Sequence, residues 1–335
     1  MMMSSNDENI AMLMSMGFDQ DQSLAALTSC GSLERAIDFL LSGGGAAVGG
    51  GASSASGSGH NTNNVAAGQS GQSDDNVGAV HSELSQYSDA LGRSACTSIA
   101  LTMACNVLNA TATDNRNPDD DDDDDIIDSA FLSNSIREGI QMYSDIKSKS
   151  SGGAEHSSVE ELLNACNSNN GNNGAGSGSG NVNSTSVKIA SSMKQFDHSP
   201  RQGILSNSPD NPMGLETILS QCREDAANRQ SHIAVVITKP PETVLVILPP
   251  PIEIGHYHSS SSQTSSYILL DSHPRPQQLS PHRPSGSYAL FHPSLASLVA
   301  SVKQIFPVTD LGSDVPEMMA MMYNSFDVYP FQYKG

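Results

Sequence analysis

The sequence predicts two folded parts of different class, a small all-α three-helix bundle and a larger α+β domain with an antiparallel sheet, joined by unstructured linkers. Three observations carry this. Residues from about Asn9 to Ser42 hold three short apolar patterns at helical spacing, each stopped by a glycine. From Gly43 to about Val80 the chain is Gly, Ser, Ala and Asn with almost no large apolar residue, the composition of a flexible tether. Beyond His81 helical patterns come first, followed by runs rich in Val, Ile, Leu and Tyr and punctuated by Pro and Ser, which read as antiparallel strands. The expected boundaries are 1–45 for the bundle, 46–80 for the linker and 81–335 for the α+β domain, with disordered inserts near 111–125 and 168–186.

In the bundle, the first helix carries Ile10, Leu13 and Met14 and stops at Gly17. The second runs from about Asp21, with Leu24 and Leu27 inward, and stops at Gly31. The third starts with Ser32 as N-cap, shows Leu33, Ala36, Ile37, Leu40 and Leu41 on one side, and ends at Gly43. The segment MLMSMGFDQDQSLAALTSCGSLERAIDFLLSGG resembles the UBA (ubiquitin-associated) family, with Met16-Gly17-Phe18 in the loop after the first helix and Leu40-Leu41 near the end of the third. The resemblance implies an apolar patch formed by Met16, Gly17, Phe18, Leu40 and Leu41 that packs on ubiquitin. A bundle this small cannot bury all its apolar residues, so a Met and a Phe at a loop tip suit a binding surface. For Phe18 and Leu40 the alternative is a place in the core.

In the larger domain, SACTSIALTMACNVLNA places Cys96, Ile99, Ala100, Met103, Ala104 and Val107 at helical spacing, with Ser94 as candidate N-cap. A thiol in the first helical turn feels the positive end of the helix dipole, which favours the nucleophilic thiolate. A core role is the competing reading for any cysteine on an apolar helix face, and it is the reading for Cys105. After the acidic run Asp119–Asp125, a solvated loop, come helices at IIDSAFLSNSIREGIQMYSDIKS and VEELLNACNS, an Asn/Gly/Ser tract, a weak strand at VKIA and a helix around MGLETILSQCRED. Strands follow at 232–238, 243–249, 267–272 and 287–292. Pro293 then opens a helix, and the Met-rich end is read as a closing helix plus tail.

Candidate chemistry concentrates in YILLDSHPRP. Side chains at i and i+2 of a strand share a face, so Asp271 and His273 are expected side by side, the carboxylate fixing the imidazole as a general base. The partner expected upstream is Cys96, and a thiolate at a helix start facing an imidazole from a sheet suits a papain-like thiol hydrolase. Cys96, LLDSHPRP and Gln86 together resemble the deubiquitinating protease domain of herpesvirus large tegument proteins, which also has the acid two residues before the histidine. That resemblance implies Cys96 as nucleophile, His273 as base, Asp271 as its orienter and Gln86 as a donor to the oxyanion. Where that family commonly has a Gln directly before the Cys, this chain has Ala95.

Composition narrows the partners. Net charge is −20, and the 16 Lys and Arg residues form no cluster, which argues against a nucleic-acid backbone. No apolar run reaches the roughly 18 to 20 residues of a membrane span, and the N-terminus lacks a signal pattern, so a soluble protein of the cytosol or nucleus is expected. The five cysteines are scattered without zinc-ligand spacing. His232, His256 and His258 compete with His273, but the HYH pair has no third ligand, so neither metal nor cofactor is expected. The expected partner is ubiquitin or polyubiquitin chains. The leading expectation is a cysteine-type deubiquitinase; a non-catalytic ubiquitin-binding adaptor and a ubiquitin-pathway thiol acyl transferase are the rivals.

Overall fold

The computed structural model describes residues 77–113, 126–149, 156–171, 184–250 and 266–334, apart from 198, 207, 209, 210, 276, 277, 280, 281, 283 and 313, together with 9, 10, 20–30 and 36. The chain divides into two compact units, Met1–Ser70 and Gly71–Gly335. In the first, helix α1 (Gln20–Cys30) buries Ser23 and Ala26, one turn apart, and Ala36 is also fully buried. Leu24, expected inward, is 51% exposed, because the small residues at 23 and 26 occupy the inward stripe and 24 lies about 100° round the helix from 23. The positions expected to bind ubiquitin, Met16, Gly17, Phe18, Leu40 and Leu41, lie outside the described residues, as does Asp119–Asp125.

The second unit opens with β1 (Gly78–His81), whose first three residues lie in the stretch read from composition as linker; a four-residue strand at a sheet edge leaves too short a pattern to stand out. Two short 3₁₀ turns, Gln86–Ser88 and Ala90–Ser94, lead into α2 (Cys96–Thr113). Ser94 closes the second turn and Ala95 stands between it and the helix, so Ser94 is not the N-cap expected of it. Helices α3 (Ser129–Lys149), α4 (Val159–Gly171) and α5 (Ser184–Ser192) follow. VKIA, read as a strand, lies in α5, whose buried residues Thr185, Ser186, Ile189 and Ala190 recur with a helical period.

Short strands β2 (Met193–Gln195) and β3 (Arg201–Ile204) precede α6 (Leu215–Arg229), which ends at Gln230 in the left-handed conformation. Then come β4 (Ile233–Lys239), β5 (Glu242–Leu248), β6 (Tyr267–Asp271) and β7 (Tyr288–His292). Helix α7 (Leu295–Ile305) is capped by Ser294, whose hydroxyl accepts from Ser297 N–H at 3.1 Å; Pro293 stands one residue outside the cap instead of opening the helix. The chain closes with α8 (Glu317–Tyr323) and β8 (Ser325–Tyr333), the latter a strand where a tail was expected.

All pairings are antiparallel, in the order β1-β7-β6-β5-β4-β8-β2, with β3 also on β8. Both faces of this sheet are covered, which is why its central strands read as near-continuous apolar runs. Alternate residues serve two cores: Ala234, Val236, Leu245 and Ile247 pack with α2, α3, α4 and α5, while Val235, Ile237, Val244 and Val246 pack with α6 and α7. The architecture is α+β with an antiparallel sheet. Its exposed apolar surface is concentrated on α8, where Met318 and Met322 are 75% and 70% exposed.

Candidate active site

Strand β6 ends at Asp271, and His273 lies beyond it, in the bend that follows. The two groups therefore meet by a tight turn and not as neighbours on one strand face. Asp271 Oδ1 accepts the His273 backbone N–H at 2.9 Å and lies 2.6 Å from the ring Nδ1, so one carboxylate oxygen both shapes the turn and orients the imidazole. With Nδ1 so engaged, Nε2 is left to face the thiol. The Cys96 side chain, at the first residue of α2, lies near enough to the His273 ring to help raise its pKa. Cys96 and His273 are each 3% exposed.

Asp271 Oδ2 accepts from Arg275 Nε at 2.9 Å and from the Tyr288 hydroxyl at 3.2 Å, Tyr288 standing opposite Asp271 in the β6–β7 register. Arg275 continues to Glu242 through two further bonds, Nη1 to Oε1 at 3.2 Å and Nη2 to Oε2 at 2.8 Å. Glu242 follows the Pro240-Pro241 turn between β4 and β5, and the Pro241 carbonyl oxygen lies 3.5 Å from the Cys96 sulfur.

Charge explains the protonation pattern. Burial alone pushes the Asp271 carboxyl up, but the Arg275 guanidinium beside it and then His273 outweigh burial and hold it well below the usual carboxylate range. Burial alone pushes His273 down, and the Asp271 carboxylate outweighs it, so the imidazole is raised well above its ordinary value. Two carboxylates and one guanidinium leave one negative charge over, which an imidazolium balances.

Gln86 is fixed beside this group by the residue next to the histidine: its backbone N–H donates to Ser272 O at 3.0 Å, and the Ser272 hydroxyl donates to its Oε1 at 2.8 Å. Its Nε2 donates to Arg93 O at 3.4 Å. Tyr87 sets its ring edge against His273, centroids 5.9 Å apart at 66°. Burial and then the Glu242 carboxylate raise the Tyr87 phenol, which stays neutral.

The structure thus gathers Cys96, His273 and Asp271 and places Gln86 against the turn that carries the histidine. Of the competing histidines, His232 lies just before β4, where it lines a small cavity with Ile126, Ile127 and Ile268, away from the thiol; His256 and His258 are outside the described residues. Among the described residues no cluster of three or more His, Cys, Asp or Glu side chains is placed to hold a metal ion. No helix among the described residues is long and apolar enough to cross a membrane. Sequence reasoning missed Arg275, Glu242 and Tyr288. Arg275 continues the spacing of two begun by Asp271 and His273, a signal that was available; Glu242 and Tyr288 join the site only through strand pairing.

Comparison with known proteins gives three findings. No curated protein matches the chain. Among solved structures, the ubiquitin-specific protease encoded by the murine cytomegalovirus tegument protein M48, in complex with a ubiquitin-based suicide substrate, is similar with a TM-score of 0.43 and 10% identity over 77% of this chain and 86% of that one. The UBA/TS-N domain family model matches residues 5–40, the segment whose Met-Gly-Phe loop and Leu-Leu pair carried the resemblance, and the chain therefore bears a UBA domain.

Proposed function

We propose that the chain is a ubiquitin-directed cysteine hydrolase that cleaves the bond after the C-terminal glycine of ubiquitin. The observation that carries the reading is the line Cys96–His273–Asp271, a thiol at a helix start, an imidazole on it, and a carboxylate fixing the imidazole from the far side. The UBA domain supports the choice of substrate, since it holds ubiquitin or a polyubiquitin chain on the same polypeptide and raises its local concentration.

In this mechanism His273 already holds the proton of the Cys96 thiol, and the thiolate attacks the glycine carbonyl carbon. The oxyanion accepts from the Cys96 backbone N–H, one of the groups a helix start leaves without an intrahelical partner, and from the Gln86 amide. His273 then protonates the departing amine, leaving a thioester. Water attacks that thioester with His273 as base, which frees the carboxylate and restores the thiolate beside the protonated His273. Asp271 stays ionised throughout.

The burial of Cys96 and the Pro241 carbonyl against its sulfur favour one rival, a non-catalytic ubiquitin-binding adaptor. A ubiquitin probe with an electrophilic C-terminus separates the two. The hydrolase forms a covalent adduct that is lost in Cys96→Ala and His273→Ala; absence of any adduct from folded wild-type protein leaves the adaptor.

A further inference from the structure

Asp271 can orient His273 only if its carboxylate does not rotate, and the structure shows what stops it. Each oxygen receives two donors. Oδ1 takes the backbone and ring of His273 at 2.9 and 2.6 Å, and Oδ2 takes Arg275 Nε and the Tyr288 hydroxyl at 2.9 and 3.2 Å. Arg275 is itself held on three sides. Its N–H donates to Pro284 O at 2.8 Å, its carbonyl accepts from Leu279 N–H at 3.2 Å, and the outer nitrogens of its guanidinium fork onto Glu242. The side chain is 6% exposed, so these bonds face little competition from water.

The geometry points to Arg275 as a positioning residue of the proposed hydrolase, acting on His273 through Asp271 and on the cover over Cys96 through Glu242. The contacts run from Cys96 to Pro241, then Glu242, Arg275, Asp271 and His273, whose ring comes back near Cys96. One planar fork thus ties the base to the turn whose carbonyl lies on the sulfur, a task the point charge of a lysine performs only in part. The inference rests on the hydrolase reading for its functional meaning, but the positioning has a signature of its own.

The test is side-chain NMR of His273 in the full chain, comparing wild type with Arg275→Met, Arg275→Lys and Glu242→Gln, alongside labelling by the electrophilic ubiquitin probe. Wild type is expected to show a downfield Nδ1–H resonance and a ring titration midpoint above the ordinary histidine value. In Arg275→Met the resonance broadens or disappears and the midpoint falls, because the carboxylate turns away. Arg275→Lys, which restores a donor to Asp271, retains the resonance, and Glu242→Gln keeps both signals. Loss of positive charge alone would raise the midpoint, so a folded Arg275→Met with a raised midpoint and an intact resonance overturns the inference. Labelling of Arg275→Met slows at least tenfold, with Arg275→Lys intermediate; equal labelling rates in all three also overturn it. No labelling of wild type, together with the expected NMR changes, sinks the hydrolase reading and leaves the positioning standing.

Discussion

Thr97 and Thr243 place their hydroxyl oxygens 3.1 Å apart, both side chains buried, where the first turn of α2 meets the start of β5. This bond fixes the helix start that carries Cys96 against the sheet that carries the rest of the site. Thr243 also has the Thr238 hydroxyl at 3.4 Å, whereas the other side-chain neighbour of the Thr97 hydroxyl is the Cys96 sulfur at 4.0 Å. Thr243→Val therefore costs more than Thr97→Val, each in the range of roughly 1–3 kcal/mol for a buried polar group left without a full partner. The double Val variant costs less than the sum, because it leaves neither hydroxyl stranded. Urea unfolding of the three variants measures this.

Gly92 sits where no side chain fits. A Cβ there would come 2.0 Å from the Gln86 backbone oxygen and 2.9 Å from Ile140 Cδ1. Gly92→Ala forces the Gln86 turn off its position, with an expected destabilisation of about 1–3 kcal/mol from overpacking. Because Gln86 moves with its backbone, probe labelling should fall by more than the loss of folded protein explains. Labelling that tracks only the folded fraction separates Gln86 from the chemistry.

The Asp271–His273 pair makes stability depend on pH in a defined direction. His273 is raised in the folded state, so its contribution is fully present below its ordinary 6.5 and is lost as pH rises toward the raised folded value. Asp271 is lowered, so its contribution is present above its ordinary 3.8 and is lost as pH falls toward the lowered folded value. The stability gap between wild type and His273→Gln should therefore be flat from about pH 4 to 6.5 and shrink steadily at alkaline pH. Chemical denaturation across that range reads it, and a gap that widens above neutrality contradicts the assignment.

Ser272 and Gln86 offer a way to tell anchoring from catalysis. Ser272→Ala removes the donor to Gln86 Oε1 and leaves the amide free to turn, at about 1 kcal/mol in stability. Gln86→Leu removes both the anchor and the proposed oxyanion donor. Turnover of a ubiquitin substrate should drop in both, with the larger loss, on the order of 10²-fold, in Gln86→Leu. Equal losses in the two variants assign Gln86 to structure alone.

How much of this the sequence revealed depended on the local signal. Strands β4 to β7 were legible because burial on both faces makes each a compact apolar run. Strand β8 was hidden by Asp327, by Pro330 and by the methionines before it, since proline argues against an inner strand. The fold accommodates that proline where β2, paired to 331–333, has ended and β3, paired to 325–328, has not begun. The Val187 and Ile189 of α5 suggested a strand through their branching, and packing overrode that preference. At the site, Asp271 and His273 could be paired by eye because they stand two positions apart. Arg275 to Glu242 spans a hairpin and a strand pairing, so only the folded chain brings those two together.

The methionines of α8 give the folded protein a chemical record of its own surface. Met318, Met319, Met321 and Met322 are 75%, 48%, 44% and 70% exposed, while Met103 and Met142 are 1% and 0% exposed. Mild peroxide should convert the first four to sulfoxides long before it reaches the two in the core. Peptide mass spectrometry of that contrast then reports, without any label or substrate, the fraction of molecules whose interior has opened.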